Sequence, residues 1–136
     1  GSDFIYWSSV RLFGTLMSRM FIPKEVFGSL SEDEQKKLIS DIYLSALPVS
    51  ARTKGILFDM YVSNLSLDET FPFEEIRVPV LVVHAKDDPA PPYAGAVLVS
   101  ERIPHCKLLS VDTGGHLLIG HEEEIRDAVR EFIVQQ

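Results

Sequence analysis

Basic residues are scarce: 13 Lys and Arg stand against 20 Asp and Glu, for a net charge of −7. A nucleic-acid partner needs a basic face, so that class is excluded, and with it attachment to an anionic membrane surface. Cysteine is nearly absent. Its single copy, Cys106, excludes an internal disulfide and fits a reducing compartment, so a cytoplasmic location is expected. No apolar run reads as a membrane span, because Arg11 and Arg19 interrupt the most apolar stretch, residues 4–21. Repeats and low-complexity segments are missing too. His84, Asp88, His116 and His121 match no zinc signature such as H-E-x-x-H, so no metal or other cofactor is expected. What remains is ordinary for a soluble globular chain: 136 residues, 46% hydrophobic and 24% charged. A chain of this length can bury roughly two thirds of its unfolded surface.

The informative stretch is residues 78–88, VPVLVVHAKDD. Val78, Val80, Leu81, Val82 and Val83 form an apolar run with Pro79 only at its start, which predicts a strand buried on both faces. Such strands belong to parallel sheets covered by helices. Residues 106–111, CKLLSV, predict a second strand that runs into Asp112, Thr113, Gly114, Gly115 and His116. Residues 93–103 between them are apolar and of helical length. Residues 121–134 predict a last helix, with Ile125, Ala128, Val129, Phe132 and Ile133 on one face. Glu122, Glu123 and Glu124 occupy its first turn, where the helix dipole favours them. The order strand, helix, strand, helix predicts two parallel strands joined by a right-handed crossover. An Asp and then a His emerge at one sheet edge, where open α/β sheets place their chemistry.

VPVLVVHAKDDPAPP followed by DTGGHLLIGH resembles the α/β-hydrolases. In that family the chain order is nucleophile, acid, histidine. The resemblance implies Asp88 as the acid and His116 as the histidine, with Asp87 a rival acid that reads as solvated. Ala85 stands where the family commonly has Gly. His84 reads as structural, bonded to nearby backbone; His121 as a neutral helix cap; and His105 as an exposed turn residue. The family's nucleophile motif, G-x-S-x-G, is not present, nor is a Cys version of it. Cys106 lies inside a predicted strand without flanking glycines. The implied fold is a partial α/β-hydrolase fold, an N-terminal helical lid (residues 1–70) followed by a core fragment (residues 71–136). The chain is then expected to be the C-terminal portion of a larger serine hydrolase, inactive alone. The alternative is a non-catalytic lid or binding module for a lipid-like ligand or a partner chain.

The first half reads as three amphipathic helices. Residues 4–21 carry apolar Tyr6, Val10, Phe13, Met17 and Met20 at helical steps. Trp7, Phe13 and Met17 are candidate pocket walls for a small hydrophobic acyl substrate. Pro23 ends this helix or begins a short turn. Ser31 and Glu34 form a capping-box pattern that opens the next helix. Pro48 breaks that helix, and Ser50 is expected to cap a third, with an apolar stripe of Ile56, Leu57, Met60 and Tyr61. Gly55 within it suggests close helix packing. Two strands are too few for a stable sheet, and an unpaired apolar edge invites pairing. A homodimer is therefore expected, with a compact monomer as the alternative.

Overall fold

The structure, a computed structural model, describes residues 1–63 and 71–135. They divide into two compact units: Gly1–Ser18 with Leu30–Phe71, and Arg19–Ser29 with Pro72–Gln136.

The first unit is helical. Helix α1 spans Ser2–Ser18 and α3 spans Glu32–Tyr43; α2, Lys24–Ser29, belongs to the other unit. The capping box forms at the start of α3. The Ser31 N–H donates to Glu34 Oε2 at 2.8 Å, and the Glu34 N–H donates to Ser31 Oγ at 3.3 Å. A short 3-10 turn, Leu44–Ala46, leads to α4, Val49–Phe58. Ser50 does not cap α4. Pro48 occupies the cap position without a side-chain bond, and the carboxylate of Asp3 accepts from the Ser50 N–H at 2.9 Å and the Ser50 hydroxyl at 2.6 Å. A carboxylate from another helix thus satisfies the free N–H groups at this helix start. The close approach suggested at Gly55 occurs at Gly14 instead. A Cβ on Gly14 would sit 2.8 Å from Ile39 Cγ2, whereas a Cβ on Gly55 would meet no other described element within 4 Å. The stripe on α4 and the turn after it is exposed at Ile56, Leu57, Met60 and Tyr61, since no element among the described residues of this unit covers that face.

The second unit holds two strands, β1 (Val80–Ala85) and β2 (Cys106–Val111), paired in parallel from Val80↔Cys106 to Ala85↔Val111. Helix α5, Tyr93–Arg102, makes the crossover, and α6, Glu122–Val134, follows β2. These are the only strands among the described residues. The strands are half-buried along most of their length, not buried on both faces as their apolar runs predict. A two-stranded sheet has open edges, so among the described residues of this unit full burial of apolar side chains is confined to Ala85 and Val111 at the carboxyl ends and to Ile22, Phe27, Ala96 and Ile103 around them. On α6, Ile125, Ala128 and Phe132 are half-buried, while Val129 and Ile133 are exposed. Among the described residues, no helix is long and apolar enough to cross a membrane.

Candidate active site

Ala85 and Val111 end their strands side by side, and the Lys86 N–H still donates to Val111 O at 2.9 Å. The loops leaving both strands therefore start from one fixed edge. After β1 the chain turns, with the Asp88 N–H donating to Ala85 O at 3.3 Å, and the Asp88 side chain points inward, 3% exposed. Its Oδ1 accepts the Ala90 N–H at 2.8 Å. Its Oδ2 lies 2.9 Å from Nδ1 of His116. A carboxylate so enclosed needs donors on both oxygens, and it has them.

His116 is held at several points. Its backbone N–H donates to Phe21 O at 2.7 Å, and the Phe21 ring lies 5.6 Å from the imidazole, centroid to centroid. Two glycines make the preceding turn possible: Gly114 has φ +117° and Gly115 φ +62°, both in the left-handed region that favours glycine. Gly115 is also pressed against the chain, since a Cβ there would lie 2.6 Å from Pro23 Cδ and 2.8 Å from Phe21 O. Asp87 pins the turn. Its Oδ1 accepts the Gly115 N–H at 2.9 Å and its Oδ2 the Gly114 N–H at 3.3 Å. Asp87 is thus a partner of the histidine loop and not a solvated carboxylate.

His116 and Asp88 face a small cavity of about 100 Å³, lined also by Val83, His84, Ala85, Pro91 and Leu118. None of these is a Ser, Thr or Cys. The His116 side chain is 43% exposed, against 3% for Asp88. With Nδ1 donating to a carboxylate, the ring's basic nitrogen is Nε2, the arrangement that lets an imidazole take a proton from a hydroxyl.

Of the remaining candidates, His84 lines the same cavity and the others lie elsewhere. His84 bonds through Nδ1 to Ala85 O at 2.8 Å, as expected, but its Nε2 also approaches Asp88 Oδ2 to 3.7 Å. His121 occupies the cap position of α6 without a side-chain cap bond; its Nδ1 pairs with Glu124 Oε2 at 3.1 Å. His105 is exposed. Asp112 pairs with Lys86 at 2.7 Å; this hydrogen bond pushes the Asp112 carboxyl down and the Lys86 ammonium up from their ordinary values. Burial raises the Cys106 thiol, the opposite of what a nucleophilic thiolate needs. In the helical unit, Trp7 and Phe13 are exposed and Met17 is half-buried. None of the three lines the groove along α1 and α3 formed by Val10, Gly14, Ile39 and Leu44. Among the described residues, no group of three or more His, Cys, Asp or Glu side chains is placed to hold a metal ion.

Residues 65–136, more than half of the chain, match the family described as TAP-like protein, one of the α/β-hydrolase families. The chain belongs to the α/β-hydrolase family. Comparison with curated proteins and with solved structures gave no match. In an α/β-hydrolase the acid precedes the histidine along the chain, and Asp88 and His116 stand in that order at adjacent strand ends. Two features of this candidate site escaped the sequence: the Asp87 clamp and the Phe21 backbone contact. The first had a signal, a second carboxylate beside Asp88 and a Gly-Gly turn with N–H groups to satisfy. The second, spanning 95 residues, had none.

Proposed function

We propose that the chain serves a serine hydrolase acting on a carboxylic ester or related acyl bond of a hydrophobic substrate. Asp88 is the acid and His116 the base of a Ser-Asp-His triad, and the nucleophile and oxyanion hole come from residues outside this sequence. Residues 71–136 are then the core fragment and residues 1–70 the lid portion, with Trp7, Phe13 and Met17 contributing apolar surface for the acyl chain. The observation that carries this reading is the 2.9 Å contact between Asp88 Oδ2 and His116 Nδ1.

In the proposed reaction, Asp88 holds the Nδ1–H tautomer, so Nε2 accepts the serine proton as the oxygen attacks the acyl carbon. The imidazolium that forms is stabilised by the buried carboxylate and returns its proton to the leaving group. Water, activated by the same nitrogen, then releases the acid product. Replacing His116 by Ala in the complete hydrolase is expected to abolish turnover of a short-chain nitrophenyl ester. Unchanged turnover would overturn the assignment. The chain by itself is expected to leave a fluorophosphonate probe unreacted, and stoichiometric labelling would point to a serine of its own.

One observation favours a second reading, a binding module that associates through its helices. On α1, Phe4, Ile5, Leu12, Phe13 and Leu16 are exposed, as is the stripe of α4. Exposed apolar surface on this scale marks an interaction face. A second copy of the chain is the partner in this reading.

A further inference from the structure

Among the described residues of the second unit, one buried side-chain nitrogen has no hydrogen-bond partner: Nε2 of His84. The other ring nitrogen lies 2.8 Å from the Ala85 carbonyl oxygen. A carbonyl only accepts, so Nδ1 carries a hydrogen. Neutral His84 therefore presents a bare lone pair at Nε2. That atom exposes less than 1 Å², so water does not reach it. What it faces is another acceptor, Oδ2 of Asp88, 3.7 Å away. Two acceptors facing each other in a dry site are unfavourable, and a proton on Nε2 turns them into a donor and an acceptor.

The same oxygen accepts from His116 Nδ1. The other titratable groups nearby have their own partners. Tyr93 of α5 meets the His84 ring edge-on at 5.8 Å and bonds through its hydroxyl to Ser110 Oγ at 2.6 Å. Asp87 is engaged by Gly114 and Gly115, and Lys86 by Asp112. Among the described residues, Asp88 is the one carboxylate contacted by both His84 and His116.

We propose that His84 is a proton-dependent positioning residue for Asp88. When Nε2 is protonated, it closes on Oδ2 as a charged donor. The carboxylate's charge is then shared between two imidazoles, and it favours a proton on His116 less strongly. A neutral His84 is a silent wall; a charged His84 weakens the Asp88–His116 couple. The proposal rests on that hydrogen bond and not on turnover, so its test is independent of whether the pair serves a hydrolase.

The experiment is nitrogen-resolved NMR of the imidazoles in the intact chain, from about pH 8 to about pH 5, the range in which histidines charge. Wild type is compared with His84→Phe, which keeps a ring against Tyr93, and His84→Gln, which keeps a neutral donor. In wild type, His84 Nε2 is expected to change from bare to protonated while Nδ1 keeps its hydrogen. The His116 curve is expected to show two inflections, as coupled groups do. In either variant the His116 curve is expected to collapse to one inflection, with proton uptake roughly three- to tenfold more favourable. A His84 Nε2 that stays bare until the chain unfolds, or His116 curves identical in wild type and a folded variant, would overturn the proposal. The wild-type spectra decide it even if neither variant folds.

Discussion

The carboxylate of Asp87 holds the backbone N–H of Gly115 at 2.9 Å, one residue before the histidine that its neighbour Asp88 contacts. Two adjacent acids therefore divide the work. Asp88 orients the imidazole, and Asp87 anchors the loop that carries it. Replacing Asp87 by Ala leaves the Gly114 and Gly115 N–H groups without their acceptor. The expected cost is about 1.5–3 kcal/mol, the usual range for hydrogen bonds to a charged group. Urea unfolding of the Asp87→Ala chain measures it, and amide exchange at Gly114 and Gly115 locates it. A loss spread evenly over the chain, with those two amides still protected, would contradict the clamp.

A second prediction concerns acid. Hydrogen bonds from Ser50 hold the Asp3 carboxyl below its ordinary value, those from Ser31 do the same for Glu34, and the Arg102 guanidinium does so for Glu74. A carboxyl depressed in the folded state stabilises above its unfolded value and loses that contribution as pH falls through the folded one. The ordinary values are 3.8 for Asp3 and 4.5 for the two glutamates, so stability is expected to decline from about pH 4.5 downward. The Ser31→Ala chain should unfold earlier in urea than wild type at pH 6, with the gap narrowing as Glu34 is protonated, to what the Ser31 Oγ bond to the Glu34 N–H contributes. A gap that stays constant would mean that Glu34 does not take part in the cap.

Association is the third. The exposed faces of α1 and α4 and the free edges of a two-stranded sheet are expected to pair copies of the chain. Light scattering at micromolar concentration should give about twice the 15.3 kDa of one chain. A mass near that of a single chain would rule the dimer out.

Local chemistry was legible in the sequence, and distant contacts were not. The apolar runs at Val80 and Cys106 marked both strands, the Ser31–Glu34 spacing marked the cap of α3, and the Gly-Gly turn marked the place where a histidine could leave the sheet edge. That an Asp and a His share one sheet edge followed from strand order, whereas the choice of Asp88 and His116 came from the resemblance to the α/β-hydrolases. By contrast, Ser50 looks like a cap in its own neighbourhood, but the carboxylate that serves α4 comes from Asp3, 47 residues away. Gly14 and Gly55 are equivalent in the sequence and differ only in whether a side chain such as Ile39 lies across them. The stripe on α4 predicts burial, yet a periodic pattern does not name the surface that covers it. Asp87 read as solvated because its partners are backbone N–H groups, whose trace in the sequence is the Gly-Gly turn and not a side chain of opposite charge.

The most direct test of the account is the turnover number of the proposed complete hydrolase carrying Asp88→Asn. Asparagine keeps the shape but can present its amide to Nδ1 and stabilise the wrong tautomer of His116. If Asp88 holds His116 as the base, kcat for a nitrophenyl ester should fall by about 10⁴-fold, the loss typical of this replacement in a triad, while the protein stays folded. A folded Asp88→Asn enzyme whose kcat lies within about threefold of wild type would contradict the assignment of the acid and of the pair built on it.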